Sequence, residues 1–219
     1  MTSSKSKNTS KKTGRIYGGL SLEDRKKQRR EQFLQAGLNV FGTTGFRSAT
    51  VRSLCKEAKL TDRYFYESYG NLENLLKAVY EHCMSNLGNA ILQAITREYQ
   101  KGDAASAITK GLDAYFLTLE DPKIAQICMV ELEGISPEIN KLYYNYISGF
   151  SQMLIALARH AFPDLKMDAQ QQEIIGISFV GAMRQSATNW LMSDYKADRA
   201  LIVTATSKLF LGMISLINT

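Results

Sequence analysis

The sequence predicts an all-α protein of about nine helices. Apolar residues recur at helical spacing through most of the 219 positions. Only 3 prolines and 15 glycines punctuate the chain, too few for the turns of a many-stranded sheet protein. The strong helix formers Leu, Ala, Lys, Gln, Glu and Met are plentiful. With 45% hydrophobic and 22% charged residues, the chain has the composition of a globular protein.

Residues 1–20 are rich in Ser, Thr, Lys and Gly and lack an apolar period, so they read as a disordered basic arm. Ser21-Leu22-Glu23-Asp24 opens the first helix in the manner of a capping box. Phe33, Leu34, Gly37, Leu38 and Phe41 share one face, which carries that helix to about Thr43. Gly42 and Gly45 flank its end, with Phe46 expected as a buried plug beyond. Thr50 caps a short helix over 51–58 and Thr61 caps another; only Lys59-Leu60 lies between them, a helix-turn-helix spacing. Asn71 caps a long fourth helix whose apolar stripe runs from Leu72 to Ile95 and joins a head, residues 21–70, to a body, residues 71–219. In the body, Asp103 opens a helix to about Leu119, Asp121-Pro122 starts a short one ending near Gly134, and Ser136-Pro137 starts one to about Phe162 that Pro163 closes. Two final helices are expected over about 168–195 and 198–217.

Charge divides the chain as the helices do. Residues 1–70 hold 15 Lys/Arg against 6 Asp/Glu, a net of +9, while residues 71–219 hold 12 against 15, a net of −3. A basic head on a mildly acidic body is the footprint of a polyanion-binding module joined to something with another task. The three cysteines, Cys55, Cys83 and Cys128, have no C-x-x-C spacing, so neither a disulfide framework nor a metal or haem site is expected. No apolar leader and no long uncharged run occurs, which points to a cytoplasmic protein without a membrane span.

The segment Thr50 to Tyr69, TVRSLCKEAKLTDRYFYESY, carries the chemistry of the head. In a helix-turn-helix the second helix enters the major groove with its N-terminal residues toward base edges. Those residues are Thr61, Asp62, Arg63 and Tyr64. Arg63 can pair bidentately with guanine, Asp62 can accept from cytosine or favour the helix N-terminus, and Tyr64 can touch a thymine methyl or a phosphate. Thr50, Arg52, Thr61, Tyr66 and Tyr69 are candidates for phosphate contact or core support, and phosphate contacts set register rather than sequence preference.

Residues from about Lys27 to Leu87 resemble the tetracycline-repressor (TetR) family of bacterial transcription regulators. The positions that carry the resemblance are Phe41, Gly45-Phe46, Thr50-Val51, Leu54, Ala58, Leu60-Thr61, Tyr66, Tyr69, Glu73 and Leu75-Leu76, all at the family's spacing. The resemblance implies an all-helical homodimer with a three-helix DNA-binding domain and a C-terminal bundle that binds a small effector and pairs through its last two helices. It also implies phosphate contacts for Thr50 and Tyr66 and a core position for Tyr69. Three positions depart from the pattern: Lys59 stands for the usual turn glycine, Asp62 for a basic or small residue, and Leu72 for a lysine that often reaches phosphate.

The body is rich in aromatics and methionine. Tyr115, Met129, Tyr143, Tyr146, Phe150, Met153, Phe179, Met183 and Trp190 are the candidate lining of an adaptable apolar pocket, with Asn145, Gln185 and Asn189 as polar handles. The same residues at helical spacing also suit plain core packing. Ile174, Ile177, Gly181, Leu201, Ile202, Ala205, Leu209, Phe210, Met213 and Leu216, with small residues Gly176, Ser178, Ala182 and Gly212, suit either a cap on one monomer's core or an isologous contact between two copies, and the resemblance favours the contact. No G-x-G-x-x-G, G-x-x-x-x-G-K-[ST], G-x-S-x-G or H-E-x-x-H occurs, and His82 and His160 are far apart, so neither an enzyme, a cofactor nor a metal is expected. The expected function is a ligand-responsive repressor that binds a palindromic operator as a dimer. The alternative is a small-molecule-binding or interaction protein whose head is degenerate, which Asp62 and Leu72 motivate.

Overall fold

The computed structural model describes residues 21–162 and 167–217. The expected arm over 1–20 and the closing Pro163 lie outside the described residues. Among those described, nine α-helices and no strand occur: α1 Leu22–Thr44, α2 Val51–Ala58, α3 Asp62–Ser68, α4 Leu72–Tyr99, α5 Ala104–Thr118, α6 Pro122–Met129, α7 Pro137–Ala161, α8 Ala169–Met192 and α9 Arg199–Ile217. A short 3-10 turn, Phe46–Ser48, links α1 to α2.

Local capping starts most of these helices. Ser21 and Asp24 form a reciprocal box at α1, as do Thr50 and Ser53 at α2 and Asp168 and Gln171 at α8. Asp103, Asp121, Ser136 and Asn71 each accept an orphan backbone N–H at their own helix. Thr61 occupies the cap position of α3 but its side chain accepts no such bond.

Four sequence expectations need correction. Gly42 lies within α1, and the chain turns at Gly45 with φ 78°. Phe46 is half-buried, packed edge-on against Phe41 at 5.6 Å. α6 stops at Met129 rather than near Gly134 because the Met129 carbonyl is taken by Arg184 of α8, at 2.7 Å. α8 stops at Met192, followed by Asp194 and Tyr195 in the left-handed region.

One core runs from head to body. Phe33, Leu54 and Phe65 fill the head, Leu75, Leu76, Val79, Tyr80 and Leu87 line the inner stripe of α4, and Leu112, Phe116, Ile127 and Trp190 continue it beyond. α6 meets α1 so closely that a Cβ on Gly42 would stand 2.5 Å from the Cβ of Lys123 and 2.7 Å from its Cα. The start of α9 is tied to α5 and its C-terminal turn by Arg199, which reaches Asp113 at 3.0 Å and Glu120 at 2.8 Å. No helix among the described residues is long and apolar enough to cross a membrane.

Candidate functional site

Two regions hold the residues singled out in the sequence. In the head, α2 and α3 meet across Lys59, whose φ of 55° places it in the left-handed region. That conformation reverses the chain in a single residue and leaves α3 outward. Tyr66 is exposed, and the Arg63 side chain is 81% exposed, its Nε donating to Glu67 Oε1 at 2.9 Å. This bond and the carboxylate charge hold the Arg63 pKa above its ordinary value. Asp62 Oδ1 accepts from the Arg63 N–H at 2.8 Å, so it serves the N-terminus of its own helix. Thr50 and Arg52 are exposed at the start of α2, and Thr61 is exposed at the cap of α3.

The aromatic rings of α3 divide between the surface and the core. Tyr64 is half-buried beneath the Arg29 guanidinium, 4.3 Å from its ring centre. Tyr69 is buried, donates its hydroxyl to the Arg30 carbonyl at 3.0 Å, and lies under the Arg30 guanidinium. It is thus a support of the head rather than an exposed contact. Arg30 also donates to the Ser68 carbonyl. Lys26, Arg29 and Arg30 on α1 border a shallow hollow with Glu67 and Ser68, adding cations that the helix-turn-helix motif did not include. Their spacing of three and four along α1 is the signal that could have found them.

In the body, a cavity of about 250 Å³ lies among α4, α5, α7, α8 and α9. Its walls are nearly all apolar: Ile91 and Ile95 from α4, Ala107, Ile108, Gly111 and Leu112 from α5, Phe150, Met153, Leu154 and Ile155 from α7, Phe179 and Met183 from α8, and Phe210 from α9. Thr96, Tyr99, Gln100 and His160 bring polar atoms to one end, where the Tyr99 hydroxyl donates to the His160 carbonyl at 2.9 Å. Phe150, Leu154 and Met183 also border a second, smaller cavity of about 40 Å³, closed by Tyr80, Tyr115, Cys128, Met129, Tyr143 and Arg184.

Of the nine sequence candidates for a ligand wall, Phe150, Met153, Phe179 and Met183 face the larger cavity, and Tyr115, Met129 and Tyr143 face the smaller. Tyr146 borders a separate shallow groove with Gly88 and Asn145. Trp190 borders neither cavity: its ring packs against Phe116 and Tyr195, and its Nε1 donates to the Ala197 carbonyl at 2.7 Å. The handle Asn189 lies in a surface groove beside α9, and Gln185 borders neither cavity. The aliphatic and small wall residues of α4 and α5 were missed because they carry no chemical signature.

Arg184 dominates the electrostatics of the smaller cavity. Its Nη2 donates to the Met129 carbonyl, its guanidinium lies 5.0 Å from the Tyr143 ring centre, and Glu133 stands 3.8 Å away. Its Nε is buried without a partner. Burial pushes the Tyr115 and Tyr80 hydroxyls far above their ordinary pKa, so both stay protonated. The Cys128 thiol is likewise raised, by its hydrogen bond with Cys83 and by burial.

α6 connects this cavity wall to the head. Cys128 and Met129 face the cavity, while Lys123 at the other end of the helix donates to Asn39 Oδ1 of α1 at 2.9 Å. Asn39 in turn donates to Glu57 of α2 at 2.9 Å. Just beyond α6, Glu131 accepts from the Phe46 N–H and from Gln126, each at 2.6 Å.

Residues 33–79 match the model of the bacterial regulatory proteins of the tetR family. The chain is 19% identical over 193 residues to the fatty acid metabolism regulator protein of Bacillus subtilis (strain 168), covering 86% of this chain and 98% of that one. Its fold is similar to the fatty acid degradation regulator FadR from Bacillus halodurans, with a TM-score of 0.71 and 20% identity over 84% of this chain and 95% of that one. It is also similar to the transcriptional regulator FadR from Bacillus subtilis in complex with stearoyl-CoA, with a TM-score of 0.68 and 18% identity over 82% and 96% of the two chains. The helix-turn-helix lies inside the segment that matches the tetR-family model, and the helical body that follows is similar in fold to these regulators.

Proposed function

We propose that this protein is a cytoplasmic transcriptional repressor that holds an inverted-repeat operator as a homodimer and releases it when an acyl-chain effector enters the body. The observation that carries the reading is α6, one helix with cavity-facing residues at one end and, at the other, Lys123 bonded directly to Asn39 of α1. An effector that binds better when α6 is displaced shifts the head away from its DNA-binding geometry; one without such a preference shifts nothing.

The chemistry of the cavity supports an acyl chain. Its walls are aliphatic and aromatic, with polar atoms at one end only. Arg97 lies in the last turn of α4 and Arg159 and His160 in the last turn of α7, the turns that bear Thr96, Tyr99 and His160 at that end. An anionic headgroup is therefore favoured outside and an apolar tail inside. A tetR-type regulator that binds stearoyl-CoA has a similar fold.

Binding of DNA by the pair of heads follows from symmetry. Two α3 helices related by a two-fold axis read two half-sites about 34–36 Å apart, or an adjusted multiple. Ile174 and Ile177 on α8 and Leu201 and Leu209 on α9 are exposed, an apolar surface for the second copy. Selection from random duplex DNA, followed by titration of the selected complex with stearoyl-CoA, tests the reading. Enrichment of an inverted repeat that the thioester releases supports it; a folded dimer that enriches no sequence defeats the DNA-reading half and favours a degenerate head.

A further inference from the structure

The geometry points to a division of labour between the two cavities: the larger binds the acyl chain, the smaller signals its arrival, and Met183 stands between them as the gate that makes operator release depend on chain length. This rests on the acyl-chain reading above. Phe150, Leu154 and Met183 border both cavities, so they are the partition. Of the three, Met183 is the most deformable: its thioether side chain is unbranched and can change rotamer without moving backbone.

What lies beyond the partition differs in kind from what lies before it. The larger cavity is walled by α4, α5, α7, α8 and α9 and takes no wall residue from α6. A chain that fills it alone meets the C-terminal part of α4 but no residue of α6, the helix bonded to α1. The smaller cavity is walled by Cys128 and Met129 of α6 and by Arg184, whose Nη2 holds the Met129 carbonyl at 2.7 Å. At about 40 Å³ it has room for little more than a water. A chain end pushed past Met183 crowds the walls of this space, Met129 and Arg184 among them, and movement of either loosens the C-terminal end of α6. The unpartnered Arg184 Nε shows that this side chain is not locked by hydrogen bonds on every side.

Two quantities should then separate as the chain lengthens. Affinity should rise about fourfold per methylene while the tail is still filling the larger cavity, the worth of burying one CH2. Operator release should stay absent over the same lengths and begin only when the tail reaches Met183. Short chains would be bound without response, and would compete with long ones.

The test uses full-length dimeric protein with saturated acyl-CoA thioesters from butanoyl to stearoyl, reading binding by calorimetry and release from the selected operator by fluorescence anisotropy. For the wild type, the expected result is binding by chains that do not release. Met183→Phe, which enlarges the partition, should raise the concentration of long chains needed for release about fifteenfold, the worth of roughly two methylenes denied burial, and lower long-chain affinity more than short-chain affinity. Met183→Ala, which opens the partition, should let affinity continue to rise at lengths where the wild type levels off; this variant also serves if the phenylalanine one does not fold. Release that tracks occupancy at every chain length in the wild type overturns the inference and leaves the acyl-chain reading standing. Failure of every thioester to bind overturns both.

Discussion

Lys59 is the residue where backbone geometry and side-chain identity are most at odds. It sits at φ 55° in the turn between α2 and α3. A residue with a Cβ pays about 1–2 kcal/mol for that conformation, and glycine does not. Lys59→Gly should stabilise the protein by about 0.5–1 kcal/mol after glycine's greater unfolded-state entropy is counted. The check is a higher urea midpoint at unchanged slope. Arg63 poses a different question, since its guanidinium is paired with Glu67 on the exposed face of α3. A surface pair of this kind is easily exchanged for a guanine. Arg63→Ala should reduce discrimination between operator and mismatched DNA about ten- to hundredfold per half-site. Equal weakening on every sequence would assign Arg63 to phosphate instead.

Among the elements, α6 has the least freedom and the most consequence. Gly42 lets α1 approach it to backbone contact, so the two helices cannot shift relative to each other without repacking that crossing. The Lys123–Asn39–Glu57 chain and the Glu131–Phe46 bond add directional ties on either side of the crossing. Gly42→Val should cost about 1–3 kcal/mol because its Cβ meets Lys123 main-chain atoms that no rotamer change moves. Lys123→Ala should spare most of the fold and lower the coupling between effector and operator by about 0.5–2 kcal/mol. Measuring effector affinity with and without operator reads that coupling; an unchanged ratio would remove Lys123 from the path.

At the scale of the whole molecule, charge and exposed apolar surface set the behaviour. Residues 1–70 carry a net +9 and residues 71–219 a net −3, so the polyanion is drawn to one end. The opposite helices α8 and α9 expose Ile174, Ile177, Leu201 and Leu209. A Leu201→Glu substitution places a charge on that surface and should give a folded monomer by sedimentation. Operator affinity should fall sharply, because one head then binds one half-site. The slope of log K against log salt should also halve, since it counts the phosphates neutralised. A Leu201→Glu protein that stays dimeric would move the pairing surface elsewhere.

The head was legible in the sequence because its determinants are local. Caps at Ser21, Thr50 and Asn71, the two-residue interval Lys59-Leu60 and the apolar stripe of α1 each act within a turn or two of chain. The same holds for the starts of α5, α6 and α7, where Asp103, Asp121-Pro122 and Ser136-Pro137 act on their own helix. Tertiary structure decided what local chemistry does not encode. An interior space arises where several helices fail to fill a volume together, so Gly111, Ala107 and Ile95 became walls while the conspicuous Trp190 was consumed in packing with Phe116 and Tyr195. The end of α6 was likewise set from outside, by an arginine 55 positions away that claims its last carbonyl. The sequence by itself thus determined the helices, their order and the DNA-reading motif. Only the packing of those helices decided where cavities open and which helix ties a cavity wall to the head, because cavities and cross-helix bonds belong to no single segment.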